Sequence, residues 1–257
     1  MRPLCLLFIF SISAQAQTLG STARQLSKGA FETTVMYQGT SKQHLNFEVT
    51  DGGSCAPNAT IPVANFNCGS TADVAGRGNG QAMIAKFNYQ PAERGLIFYA
   101  TAGVGDYAVK VGTVTVFNSS LEDKAGFLTS FGAKAVVVPD TIVSPAFALD
   151  ASVGMQRYYG GGERLDFMQL QVALEASHRF DLKDFGLAVE PYGGVKWLRN
   201  QAYLKNIATQ SRVGGRKQIT TPFLGVKVPI FEKDSLFFEM SMVDGVQYAT
   251  GLTVRFK

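Results

Sequence analysis

The closing stretch DGVQYATGLTVRFK (residues 244–257) pairs a two-residue turn signal with an unbroken alternation of side-chain character. Val246, Tyr248, Thr250, Leu252, Val254 and Phe256 fall on one face of a strand. Gln247, Ala249, Gly251, Thr253 and Arg255 fall on the other. The apolar face ends on an aromatic ring and the polar face on a cation. Which solvent each face meets decides the fold.

Upstream, the same period of two recurs. It is found at 30–38, 81–90, 95–111, 127–138, 147–159, 164–180, 185–198, 218–230 and 235–243, with turn signals between the runs. A helix would place apolar residues three and four apart instead. In 164–180 the outward set is Met168, Leu170, Val172, Leu174 and Ala176, backed by Gln169, Gln171, Glu175 and Arg179. In 185–198, Leu187, Val189, Val195 and Trp197 oppose Glu190, Tyr192 and Lys196. Pro191 and Pro222 interrupt two runs, and each removes a ladder donor.

The spacing predicts ten strands in an all-β, single antiparallel up-and-down barrel over 30–257. Twelve is the alternative, if 43–49 pairs separately and 95–117 breaks at Gly105-Asp106. Short connections (PAER, PDTIVSP, DLKD, FEKD) alternate with longer segments near 39–80, 112–126 and 199–217. Transmembrane barrels show this asymmetry, with short periplasmic turns and longer extracellular loops.

The first residues, MRPLCLLFIFSISAQAQ, combine Arg2, an apolar core from Leu4 to Ile12 and a small-residue Ala-Gln-Ala site. They are expected to be a cleaved export signal covering 1–16, leaving 17–29 as a short periplasmic segment. The net charge of +4 becomes +3 without Arg2, and the cations are scattered singly, so nucleic acid is not an expected partner. Cys55 and Cys68, in an exported chain, read as a disulfide closing a small loop. Such a cross-link contributes on the order of 3 kcal/mol in the chain-entropy model; free thiols are the alternative. With two histidines and no CxxC, neither a metal site nor a cofactor is expected.

Alternation alone fits a soluble barrel with its apolar face inward as well as a membrane barrel with that face outward. Export, aromatic strand ends and loop asymmetry select the membrane barrel. On that reading Glu32, Lys86, Lys134, Asp150, Glu175, Arg179, Glu190, Lys196, Lys227, Glu239 and Arg255 face the lumen. Tyr37, Leu174, Trp197, Tyr248 and Leu252 face lipid or its interfaces. So do Phe180, Phe185 and Phe256 at the turn-side ends and Tyr158 or Tyr159 at a loop-side end. The chain resembles bacterial outer-membrane β-barrels of the OmpA-like or opacity-type single-chain class. Those proteins close on a strand ending in Phe, matched here by Phe256 with Val254, Leu252, Thr250 and Tyr248 behind it; Lys257 departs from the pattern. The resemblance implies an outer-membrane location, contact with outer-membrane lipid and lipopolysaccharide, and recognition of the last strand by the assembly machinery.

No catalytic constellation is expected. His178 belongs to the outward register while Ser177 faces the other way, and His44 lies in a loop without acidic neighbours. The glycine-rich AGVGDY and YYGGGER segments lack the strand-to-helix setting of a phosphate cradle. Interior charges of both signs fit either a pore or a lumen filled by ion pairs; their near-equal numbers favour filling. The expected role is a non-enzymatic structural or surface-interaction barrel that contacts an extracellular ligand. A small-solute channel is the alternative, and a lipid- or peptide-hydrolysing barrel a third reading.

Overall fold

The structure, a computed structural model, describes residues 20, 22–49, 72–92, 95–111, 121–182, 187–207, 212–231, 233–242 and 245–256. The export signal, the Cys55–Cys68 loop, Phe185 and Lys257 lie outside them. Eleven strands follow in chain order: β1 (Phe31–Val49), β2 (Ala72–Tyr89), β3 (Leu96–Val111), β4 (Leu121–Val138), β5 (Ala146–Gly160) and β6 (Glu163–Ser177). Then come β7 (Phe180–Leu182), β8 (Leu187–Asn206), β9 (Arg212–Pro229), β10 (Asp234–Ser241) and β11 (Val246–Phe256). All but β7 form a closed antiparallel ring of ten, sealed by β11 against β1 from Phe31↔Phe256 to Ser41↔Val246. β7 pairs only with the start of β8, outside the ring. The ten-strand expectation holds, and 43–49 is the continuation of β1 rather than a strand of its own.

Closure gives every ring strand a partner on both edges, as a medium without hydrogen-bonding capacity requires. Which face is apolar is now directly visible. Phe131 is 65% exposed on the outer wall and Leu224 71%, whereas Lys86, Lys196 and Glu239 inside are 0% exposed. Outward apolar side chains run from Leu96 to Val104 on β3 and from Phe147 to Met155 on β5, nine residues each. Tilted strands of that length cover the ~25 Å apolar band of a membrane barrel. Pro191 and Pro222 both sit within the ladders, β8 and β9, with exposed side chains.

The long connections differ from the sequence expectation. Residues 39–49 and 72–80 extend β1 and β2, 121–126 begins β4, and most of 199–217 belongs to β8 and β9. Their residues alternate less sharply because above the membrane neither face has to be apolar. A bulge between Thr40 and Gln43 puts Lys42 at φ 56°, its amide donating to Asn79 Oδ1 at 2.8 Å. Here β1 leaves the shorter β11 and turns toward β9, meeting it at Glu48↔Gly214.

The segment before β1, expected in the periplasm, enters the barrel. Thr22, Ala23, Leu26 and Ala30 are buried: Ala23 against Ala146 and Ala148, and Leu26 and Ala30 against Ile97. The Leu26 amide donates to Gln90 Oε1 at 2.8 Å, and Gly29 and Ala30 exchange backbone hydrogen bonds with Gln90.

Candidate functional site: the filled lumen

Inward positions come from every other residue of each strand, so parity alone aims the charges at one another. Glu32 (β1) lies at the short-turn mouth, 3.5 Å from Lys227 Nζ and 3.4 Å from Arg255 Nη2, and accepts from Asn88 Nδ2 at 3.3 Å. Deeper in, Lys134 (β4) pairs with Glu175 (β6) and lies 3.8 Å from Asp150 (β5). Tyr99 donates to Asp150 at 2.6 Å, and Lys86 (β2) sits 4.4 Å over the Tyr99 ring. Across the barrel, Lys196 (β8) binds Glu239 (β10) at 2.5 Å, and Tyr192 donates to the same carboxylate at 3.1 Å. Three buried lysines thus share the middle of the lumen with three buried carboxylates, the charge balance that burial demands.

The entering segment completes this network. Gly20 N–H donates to Glu239 Oε2 at 3.1 Å, and the Thr22 carbonyl accepts from Lys134 Nζ at 3.2 Å. Gly20 lies flat against the Phe237 ring, where even a methyl group would clash. Farther along the lumen, Met36, Ala82, Ile84, Leu128, Phe237 and Ala249 form an apolar layer. Beyond it, the rings of Tyr107, Tyr158 and Phe167 pack with centroids 5.1–6.3 Å apart. Tyr107 donates to Gln43 and Tyr158 to Gln156. Glycines make room for two of the lumenal rings: a Cβ on Gly132 would lie 2.2 Å from Tyr99, and one on Gly225 2.3 Å from Tyr192.

Nine of the charges assigned to the lumen by parity are buried there: Glu32, Lys86, Lys134, Asp150, Glu175, Glu190, Lys196, Lys227 and Glu239. Two sit elsewhere. Arg179 lies past the end of β6 and pairs with Asp181 at 2.8 Å, and the half-exposed Arg255 lies at the mouth. Both line an open cleft at the short-turn end, together with Arg24, Glu32, Glu190 and Lys233. Strand ends explain both: at the last rungs the lumen opens to solvent, so a side chain on its inward side stays exposed. Leu174, Phe180, Leu252 and Phe256 are exposed on the outer wall; Tyr37, Trp197 and Tyr248 are half-buried there. Of the pair left open, Tyr159 faces outward and Tyr158 is fully buried in the lumen.

His178 Nδ1 lies 2.9 Å from Asp140 and its ring packs edge-on to Phe180, while Ser177 is buried on the other side of the wall. Inside, the described side chains present charges of both signs and tyrosine hydroxyls. The entering segment is the component that sequence reasoning missed. It carries no alternation, and Leu26 and Ala30 find their partners only once the barrel closes around them.

No family model matches the chain, and no curated protein matches it in sequence. Among solved structures it is similar to the beta domain of the Bordetella autotransporter Brka, with 13% identity, 90% of this chain and 100% of that chain covered, and a TM-score of 0.46. The translocator domain of autotransporter NalP from Neisseria meningitidis shares 11% identity over 90% of this chain and 89% of that one, at a TM-score of 0.45. An outer membrane channel from Pseudomonas putida F1 shares 9% identity over 91% and 98%, at 0.37. Likenesses this distant carry no argument about activity.

Proposed function

We propose that the chain is a non-enzymatic bacterial outer-membrane barrel with a closed lumen, whose extended hairpins make contacts outside the cell. The observation that carries this reading is the continuous filling of the lumen: entering segment, paired charges, apolar layer, aromatic layer. Rows of polar donors around open water would suit a solute path; here the lysines and carboxylates neutralise one another between next-nearest strands, Lys134 on β4 with Glu175 on β6 and Lys196 on β8 with Glu239 on β10. The closing strand, with Phe256 beside Phe31 at a centroid distance of 6.2 Å, supports the OmpA-like or opacity-type resemblance and docking of the last strand on the assembly machinery. His178 lends hydrolysis no support, since it is held by Asp140 and Ser177 points away from it.

Gel migration of the membrane fraction with and without boiling tests the closed barrel. The unboiled protein is expected to run as a compact, faster species that shifts on heating. Identical migration in both lanes, together with recovery in the soluble fraction, would overturn the membrane reading.

A further inference from the structure

On the outer wall, β5, β6, β8 and β9 stand in direct register where the apolar band ends. The first row reads Val153–Leu170–Arg199–Gln218, and the next Met155–Met168–Gln201–Arg216. Above these lie Arg157–Asp166–Tyr203, then Tyr159–Arg164–Lys205. The level below them is Ala151–Val172–Trp197–Thr220, so Arg199 stands just beyond the aromatic girdle. Five cations, Arg157, Arg164, Arg199, Lys205 and Arg216, therefore share this patch with one acid. Arg157 binds that acid, Asp166, at 2.6 Å and Arg164 binds it at 2.9 Å. No Asp or Glu occurs between Glu190 and Glu232 to balance the rest.

Two further observations point to an occupant. Val153, Met168 and Leu170 line an open groove together with Arg199 and Gln201. Among the described residues, Nε of Arg164 and Nε of Arg199 are both withdrawn from solvent and lack a hydrogen-bond partner. Arg216 is oriented by Gln201: with the amide turned so that its oxygen faces the guanidinium, it accepts from Nε and Nη2 at 3.0 Å each.

We infer that this patch binds a phosphate-bearing lipid of the outer leaflet. The acyl chain lies along Val153, Met168 and Leu170, and the phosphate sits between Arg199 and Arg216, which stand on adjacent rungs of β8 and β9. Guanidinium forks match phosphate oxygens, and an apolar groove continuous with the membrane band suits the tail of a lipid and not a free ion. The inference rests on the membrane reading above, which the boiling assay tests separately.

Trp197, the chain's single tryptophan, stands one level below Arg199 and reports on the site. Refolded full-length protein is placed in phosphatidylcholine vesicles containing a minor fraction of brominated phosphatidic acid, and quenching is compared with equally brominated phosphatidylcholine. The wild type is expected to be quenched preferentially by the phosphatidic acid. Arg199→Gln with Arg216→Gln should lose about fivefold in that preference for each charge removed. Arg77→Gln, an exposed cation on β2, should keep it. Excess inorganic phosphate at constant ionic strength should leave the preference intact. Equal quenching by both lipids, an unaltered double variant, or displacement by free phosphate would each overturn the inference, provided the variants show the same heat-dependent migration as wild type.

Discussion

Lys196 shows how strongly one residue can be tied to the closure of the whole wall. Its ammonium is fully buried, 2.5 Å from Glu239 and 4.3 Å over the Phe223 ring. A buried pair of this kind adds little net stability relative to apolar residues, but removing one partner strands the other charge. Lys196→Met is therefore expected to cost about 3–5 kcal/mol, read as a lower urea midpoint for unfolding from vesicles. Lys196→Met combined with Glu239→Gln should recover much of that loss, and an unchanged midpoint in the single variant would mean that Glu239 is not buried against it. At this scale the sequence was informative wherever a residue lies mid-strand, because period-two parity sends Lys86, Lys134 and Lys196 to one side. It did not show that Arg179 and Arg255 lie at the open mouth and stay exposed, and it left Tyr158 and Tyr159 undecided because adjacent tyrosines fit either register.

Among the elements, the strands were legible and their limits were not. Membrane-level alternation stops at Tyr37 on β1, yet the strand runs on to Val49 through a bulge at Lys42 that aims it at β9. Backbone pairing sustains those extensions without any apolar face to announce them. The segment from Gly20 to Ala30 was illegible for the opposite reason. Its partners, Gln90, Lys134, Ile97, Ala148 and Glu239, come from distant strands and converge only on closure. Its removal gives a test of its place. In a Cys55→Ser/Cys68→Ser background, Ala148→Cys should react slowly with a membrane-impermeant maleimide, since Ala148 is fully buried against Ala23. Deleting 22–28 should raise that rate at least several-fold, and equal rates in the two proteins would remove the segment from the lumen.

For the whole molecule, the inverted polarity of wall and lumen suits a barrel to hydrocarbon, and the filling is what supports the proposal that it is closed. The outside was readable in the sequence because the expected export signal, the aromatic strand ends and the connection lengths all broke the symmetry of plain alternation. The inside was readable only as a balance of charges; which of them pair, and that a chain segment joins them, depends on the strand order and register of the closed ring. Closure also separates two roles: the lumen holds the molecule together, and the outer rim and long hairpins face its surroundings. The most direct test is single-molecule conductance of the full chain in a planar bilayer. Inserted protein, verified by its heat-dependent migration, is expected to show no steady unit conductance; reproducible open levels from the intact chain would contradict the filled lumen.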